Sequence, residues 1–126
     1  MNLKTVKNII FVVWVVAIAI LSIIPNSNEV GGLSFKLTES GMVLHFAAYF
    51  VGTALAFWVF RKNTLFSILI PGFTIFLYSV VLGCIQLYLP SRTFNPVDIV
   101  ANASGIVFFS LVWMVFFSRR GEDHCV

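Results

Sequence analysis

The chain has 126 residues, of which 60% are hydrophobic and only 10% are Asp, Glu, Lys or Arg. A soluble domain carries about 25% charged residues, and a soluble core of this size would leave much of the apolar surface in water. The net charge of +3 is modest, and no basic stripe interleaved with aromatics is present, which argues against nucleic-acid binding. The composition predicts an integral membrane protein without a soluble catalytic domain.

The first apolar run covers Ile9–Ile24 and follows Lys4 and Lys7. It is longer than the hydrophobic region of a signal peptide, and bulky residues lead directly to Pro25 without a small-residue cleavage site. We therefore expect an uncleaved transmembrane helix over about residues 7–24, which the proline ends. A polar, glycine-bearing loop follows it.

Three further apolar segments are predicted to be helices. The second covers about residues 41–60 and the third about 65–89, where Pro71 either kinks the helix or delays its start. The fourth covers about residues 96–117, with Asn95 as its N-cap and a proline in its first turn. Four helices of about 20 residues each use most of the chain.

The expected fold is all-α, a single domain over residues 1–126 that forms a four-helix transmembrane bundle and ends in a flexible polar tail at 118–126. The positive-inside rule orients the bundle, because cytoplasmic segments carry an excess of Lys and Arg. With the N- and C-termini both cytoplasmic, only Lys36 and Arg92 lie outside. The basic residues inside are then Lys4, Lys7, Arg61, Lys62, Arg119 and Arg120.

Polar side chains are costly inside a membrane helix and indicate either packing contacts or function. In this sequence they gather near the outer ends of three helices. At about 1.5 Å per residue, all of them fall within roughly 15 Å of the outer surface. They are His45 and Tyr49 in the second helix, Gln86 in the third, Asp98 and Asn102 in the fourth, and Arg92 in the last loop. We predict that these residues form an outward-facing ligand-binding site.

Each of these residues has a chemical role to offer. Asp98 meets the unpaired backbone N–H groups at a helix N-terminus, and Arg92 is near enough in sequence to pair with it or with an anionic ligand. His45 exchanges protons near neutral pH, so His45 and Asp98 are the candidate catalytic residues. Gln86 and Asn102 are suited to hydrogen-bond a head group or a sugar. Helix capping, interhelical hydrogen bonding and packing are the structural alternatives.

Small residues predict where helices pack closely. Gly52 and Gly105 each follow an alanine by four residues, which is the spacing of close contacts between membrane helices. Cys84 is interpreted as a small apolar filler. Because Cys84 and Cys125 form neither a metal-binding spacing nor a disulfide framework, we predict no metal and no cofactor.

The polar residues of the second half stand at characteristic spacings. The pattern Q-x-x-x-P-x-R begins at Gln86, and D-x-x-x-N-x-x-G begins at Asp98 after five intervening residues. His45-Phe46 with Tyr49, and the segment from Ser22 to Pro25, fit the same arrangement. On these residues the chain resembles the VanZ-like family over nearly its whole length.

The resemblance implies a small multi-pass protein of the bacterial cytoplasmic (inner) membrane that acts in the cell envelope. The member that gives the family its name is associated with resistance to the glycopeptide antibiotic teicoplanin. One position departs from the pattern, because family members often carry a glutamate where this chain has Gly83. Asp98 is then the only acidic residue in the predicted cluster, which argues against chemistry that uses two carboxylates.

Four functions remain open at this stage. The first is binding of a membrane lipid, a lipid-linked wall precursor or a glycopeptide antibiotic, with Arg92 contacting phosphate. The second is a membrane enzyme that uses His45 and Asp98 for acid–base chemistry on a lipid-linked substrate. The third is an ion pathway, which would require a homo-oligomer because four helices are few. The fourth is a structural partner of another membrane protein.

Overall fold

The computed structural model of the chain describes residues 1–23, 41–60, 65–89 and 96–122. This part of the protein is helical and contains no strand, so the predicted all-α class is confirmed. The helices are α1 (Leu3–Ile23), α2 (Gly41–Val59), α3 (Leu65–Leu87) and α4 (Pro96–Glu122).

Each helix is long and apolar enough to cross a membrane. A span requires about 20 predominantly apolar residues, and each of the four helices contains such a stretch. Large apolar side chains remain exposed on the bundle surface, among them Val13 in α1, Phe73 in α3 and Phe116 in α4. Contact of these side chains with lipid tails costs no free energy, whereas their contact with water is unfavourable.

Two helices extend beyond their predicted ends. Helix α1 begins at Leu3, because the side chain of Asn2 accepts a hydrogen bond from the Lys4 backbone N–H at 3.3 Å and caps the helix. Helix α4 continues to Glu122, beyond its predicted end at about residue 117, so residues 118–122 of the predicted tail are helical, and the flexibility of the tail stays a prediction. A helix that leaves the apolar layer needs no apolar side chains to continue. The rest of the predicted tail, 123–126, lies outside the described residues.

Pro71 lies inside α3 rather than at its beginning. The helix starts six residues earlier, so the alternative of a delayed start is wrong. Pro71 is buried against the rest of the bundle, and Gly72 beside it is buried as well. The proline therefore occupies a tightly packed position in the helix.

The helices alternate in direction along the bundle. At one end, His45 near the start of α2 contacts Asn102 near the start of α4, and Gln86 near the end of α3 contacts Ser22 near the end of α1. At the other end, the Lys7 ammonium lies 5.0 Å from the centre of the Trp58 ring. Helices α2 and α4 form the most extensive pair, α3 packs on both, and α1 lies at the periphery.

Two glycines allow helices to touch, as the sequence predicts. A Cβ atom on Gly105 would lie 2.4 Å from the backbone oxygen of Phe46, so α4 approaches the backbone of α2 itself. A Cβ atom on Gly52 would lie 2.1 Å from the Trp14 ring, so the absence of a side chain here lets the indole of α1 pack against the backbone of α2. Below Gly105 the two helices continue in aromatic contact, with Phe57 and Phe109 at 5.4 Å between ring centroids.

Candidate functional site

A histidine, an amide and a carboxylate meet where α2 and α4 begin. His45 Nδ1 lies 2.9 Å from Asn102 Oδ1, and His45 Nε2 lies 3.7 Å from Asp98 Oδ2. Asp98 and Asn102 are four residues apart and therefore share one face of α4, one turn apart. The single imidazole of α2 bridges them, with one ring nitrogen directed to each.

This group of residues is open on one side and closed on the other. The side chains of His45 and Asp98 are each 32% exposed, whereas Asn102 is only 5% exposed. The ionisable pair therefore lies at the accessible side of the site, which we call the mouth. The amide of Asn102 lies behind this pair, in the interior of the bundle.

A buried hydroxyl of α3 completes the arrangement. Asn102 Nδ2 donates a hydrogen bond to Ser79 Oγ at 2.8 Å, and Ser79 is 2% exposed. Because all buried side-chain N and O atoms in the described part of the chain have partners, this polar network is fully satisfied. Three helices are thus connected by side chains at one depth.

Ser79 is the residue that the sequence analysis missed. Serines in apolar helices commonly donate to the carbonyl four residues earlier, and Ser22, Ser104 and Ser110 do so here. Nothing in the local sequence distinguishes Ser79 from these three. The available signal is its position seven residues before Gln86, which places both on one face of α3.

Tyr49 lies deeper than a residue at the mouth of the site. It is 4% exposed, and its ring packs edge-on against Trp14 at 5.9 Å between centroids. Its backbone oxygen also accepts a hydrogen bond from the Thr53 hydroxyl at 2.7 Å. Its observed contacts are with the core of the bundle, so it is a packing residue in this structure.

Gln86 makes an interhelical hydrogen bond, which is one of the structural alternatives for this residue. Its Nε2 donates to the backbone oxygen of Ser22 at 3.2 Å and so connects α3 to the last turn of α1. This contact satisfies one of the carbonyls that a helix leaves unpaired at its end. Arg92, the remaining predicted site residue, lies outside the described residues.

The described residues offer few ligands for a metal ion. His45 and Asp98 together supply an imidazole nitrogen and a carboxylate, and no group of three or more His, Cys, Asp and Glu side chains occurs in this part of the chain. Cys84 is exposed on α3, so it faces outward rather than filling the interior as expected. The chemistry available from the described side chains is hydrogen bonding and proton exchange.

Fold and site together define a multi-pass membrane protein whose polar groups converge at one end of a four-helix bundle. Comparisons with models of protein families, with curated proteins and with solved structures gave no match for this chain.

Proposed function

We propose that this chain is a VanZ-like protein of the bacterial cytoplasmic (inner) membrane that binds an amphipathic ligand in the cell envelope. The binding site is the mouth formed by His45 and Asp98, which faces outward, and both termini are cytoplasmic. The ligand class is a lipid head group, a lipid-linked wall precursor or a glycopeptide antibiotic. A link to teicoplanin resistance follows from the family resemblance.

The observation that carries this proposal is the exposure of an ordered ionisable pair. A polar group that serves only to join helices is best buried, as Asn102 and Ser79 are. His45 and Asp98 instead keep 32% of their side chains accessible while a hydrogen bond from behind holds the imidazole. Such groups are costly in a membrane and are retained where they meet a substrate or ion.

An amphipathic ligand fits the surroundings of this mouth. The polar pair would bind the head group, and exposed apolar residues close to it in sequence, such as Leu44, Val97 and Val100, would contact an acyl chain. Arg92, six residues before Asp98 in the sequence, would supply a cation for a phosphate group.

The distribution of charge supports the proposed orientation. Lys4 and Lys7 precede the apolar part of α1, and Lys7 lies over Trp58 at the end of the bundle away from His45. Basic residues and interfacial tryptophans are typical of the cytoplasmic boundary. The mouth at the opposite end would then open toward the outer face.

One observation favours an enzyme as the second candidate. Asn102 orients the imidazole of His45 while Asp98 lies on its other side, which resembles a general base with an orienting partner. However, Gly83 provides no second carboxylate, and the described residues place no nucleophile beside His45. Acid–base chemistry on a lipid-linked substrate is therefore the alternative to binding.

Binding to purified protein tests the proposal. Radiolabelled envelope lipids, including the lipid-linked wall precursor, are incubated with wild type, Asp98→Asn, His45→Ala and the control Ser104→Ala, whose hydroxyl bonds only its own helix. We expect Asp98→Asn and His45→Ala to retain about tenfold less lipid than wild type, or less than that, because a hydrogen bond to a charged group contributes about 1.5–3 kcal/mol. Ser104→Ala should bind like the wild type.

The outcomes separate the candidates. Retention without conversion supports a binding protein, and excess teicoplanin that displaces the lipid would identify the antibiotic as a competing ligand. Conversion of the lipid that disappears in His45→Ala supports the enzyme instead. Equal retention by all four proteins would show that the polar residues only hold the helices together.

A further inference from the structure

We propose that the mouth binds an ammonium group that carries N–H bonds, and that the carboxylate of Asp98 is the group that holds it. In a membrane, the source of such a group is the amine of a zwitterionic lipid head group. The inference rests on the proposed function, because it names the part of the ligand that the mouth contacts. It holds whichever ring nitrogen of His45 carries the hydrogen.

Asp98 presents a negative charge at the accessible end of the bundle. It lies in the first turn of α4, where the positive end of the helix dipole favours a negatively charged side chain. Its side chain is 32% exposed, so the helices do not close off the carboxylate. A carboxylate has lone pairs for several hydrogen bonds and no hydrogen of its own to donate. A ligand that contacts Asp98 must therefore supply the donor.

The imidazole beside Asp98 does not supply that donor. His45 Nε2 lies 3.7 Å from Asp98 Oδ2, which is longer than a hydrogen bond between nitrogen and oxygen whether or not Nε2 carries a hydrogen. The other ring nitrogen lies 2.9 Å from Asn102 Oδ1, and Asn102 is buried. This contact holds the ring at its distance from the carboxylate, so Asp98 keeps the capacity to accept a hydrogen bond from a ligand.

The charges in the described part of the chain favour a cation over an anion at the mouth. Within these ranges Asp98 lies beside His45 and forms no ion pair with a Lys or Arg side chain. With a neutral imidazole the pair is negatively charged, so it repels a phosphate group and attracts an ammonium group. The attraction is stronger beside apolar helices than in water, because the lower dielectric weakens it less. The phosphate of the same head group would then be left to Arg92 of the proposed site.

An N–H bond on the ligand distinguishes this contact from a general attraction of charges. A primary ammonium donates short, charge-assisted hydrogen bonds to a carboxylate, with the nitrogen and oxygen about 2.7–2.9 Å apart. A quaternary ammonium has the same charge, but it has no hydrogen to donate and its methyl groups keep the nitrogen further away. Phosphatidylethanolamine and phosphatidylcholine with the same acyl chains differ only in the methylation of this nitrogen. Phosphatidylglycerol with those chains has hydroxyl donors and no cation.

Competition between these lipids tests the inference. The full chain is reconstituted in bilayers that contain equal amounts of the three lipids at about pH 8, where an aliphatic ammonium is charged and an ordinary imidazole is neutral. The protein is extracted in mild detergent, and the lipids that stay bound are quantified by mass spectrometry. We expect wild type to retain about tenfold more phosphatidylethanolamine than either competitor, because phosphatidylcholine lacks the hydrogen bond and phosphatidylglycerol lacks the cation.

Variants assign this preference to the Asp98 carboxylate. Asp98→Asn keeps the shape of the side chain without its charge and should retain the three lipids in equal amounts. Asp98→Glu keeps a carboxylate and should keep the preference. Glu122→Gln removes a carboxylate from the last residue of α4, at the opposite end of the bundle, and should bind like the wild type. If Asp98→Asn does not fold, the wild-type ratio alone still decides.

A water-soluble amine separates this inference from the proposed function. The full chain carries His124→Gln, so that His45 is its only histidine. It is labelled with nitrogen-15 histidine, placed in phosphatidylcholine bilayers and titrated with ethylammonium or with tetramethylammonium. We expect ethylammonium to shift the NMR signals of the imidazole, which lies beside the bound cation, and tetramethylammonium to leave them unchanged.

The outcomes differ for the two proposals. Retention of lipid without preference for phosphatidylethanolamine over phosphatidylcholine, or a preference that persists in Asp98→Asn, would overturn the inference and leave the proposed lipid binding intact. A response of His45 to ethylammonium in a protein that retains no lipid would overturn the proposed function and leave the ammonium site intact. No lipid retention together with no response to ethylammonium would contradict both.

Discussion

At the scale of single residues, the hydrogen bond between His45 and Asn102 couples the exposed mouth to the buried network. The imidazole has one nitrogen held by a buried amide and the other left near a carboxylate. A side chain held in this way loses less rotational freedom when a ligand binds, which favours affinity. In the proposed site, the buried amide would contribute to binding by holding the imidazole.

A double-mutant cycle measures this coupling. We compare the free energy of unfolding of wild type, His45→Ala, Asn102→Ala and the double variant in detergent. We expect a coupling of about 0.6 to 2 kcal/mol, the range found for hydrogen bonds between membrane helices. The pair His45→Ala with Ser104→Ala serves as control and should show additive effects. Additive effects in the His45 and Asn102 cycle would mean that the observed contact contributes nothing to stability.

Residue types and spacing predict part of the site and miss the rest for a physical reason. His45, Asp98 and Asn102 stand out because polar groups in apolar helices are rare, and the direction of each helix places them at one depth. Gln86 has the same signal, yet its side chain reaches the end of α1, because depth along the bundle does not determine which neighbour a residue faces. Ser79 has no signal, since a serine can satisfy itself within its own helix.

At the scale of elements, the contact between α2 and α4 sets the width of the site. Gly105 brings α4 against the backbone at Phe46, the residue that follows His45. This approach allows the short side chains of Asp98 and Asn102 to reach across to the imidazole. The close-packing role of Gly105 was predictable from its alanine-glycine spacing, whereas the partner it packs against depends on the arrangement of all four helices.

Gly105→Ala tests this dependence. The added methyl would lie 2.4 Å from a backbone oxygen that belongs to a rigid helix, so the helices must separate. We expect a loss of about 1–3 kcal/mol in the free energy of unfolding, as for overpacked interiors, measured by chemical or thermal unfolding in detergent.

Gly72→Ala is the matched control for that substitution. Its added methyl would lie 3.4 Å from Ser110 Oγ and 3.6 Å from Ile106, which are ordinary contacts. We expect little change or a small gain, because alanine favours a helix over glycine by about 1 kcal/mol. Equal stability of Gly105→Ala and Gly72→Ala would show that the helices do not approach as closely as described.

Helix ends were harder to predict from sequence than helix cores. The apolar runs identify all four helices, because a span must be apolar throughout. The beginning of α1 depends instead on the side chain of Asn2, and α4 continues to Glu122 past the apolar run. Hydropathy marks where a segment leaves the lipid and contains no information on whether the helix continues in water.

At the scale of the whole molecule, the two ends of the bundle differ in character. One end holds the network of His45, Asn102 and Ser79, and the other holds Lys7 against Trp58. In the orientation that we propose, the second end is cytoplasmic, because the positive-inside rule favours Lys and Arg on that side. The central claim of this account is that the polar end forms a water-accessible mouth on the outer face of the membrane.

Cysteine labelling in intact cells tests that claim directly, because it measures which positions are accessible from outside. In a background where Cys84 and Cys125 are serine, Asp98→Cys, Lys4→Cys and Ser104→Cys are treated with a membrane-impermeant maleimide. The account predicts that Asp98→Cys reacts in intact cells, that Lys4→Cys reacts only after permeabilisation, and that Ser104→Cys, exposed on the lipid side of α4, does not react. Reaction of Asp98→Cys only after permeabilisation, or no reaction at all, would contradict an outward-facing mouth.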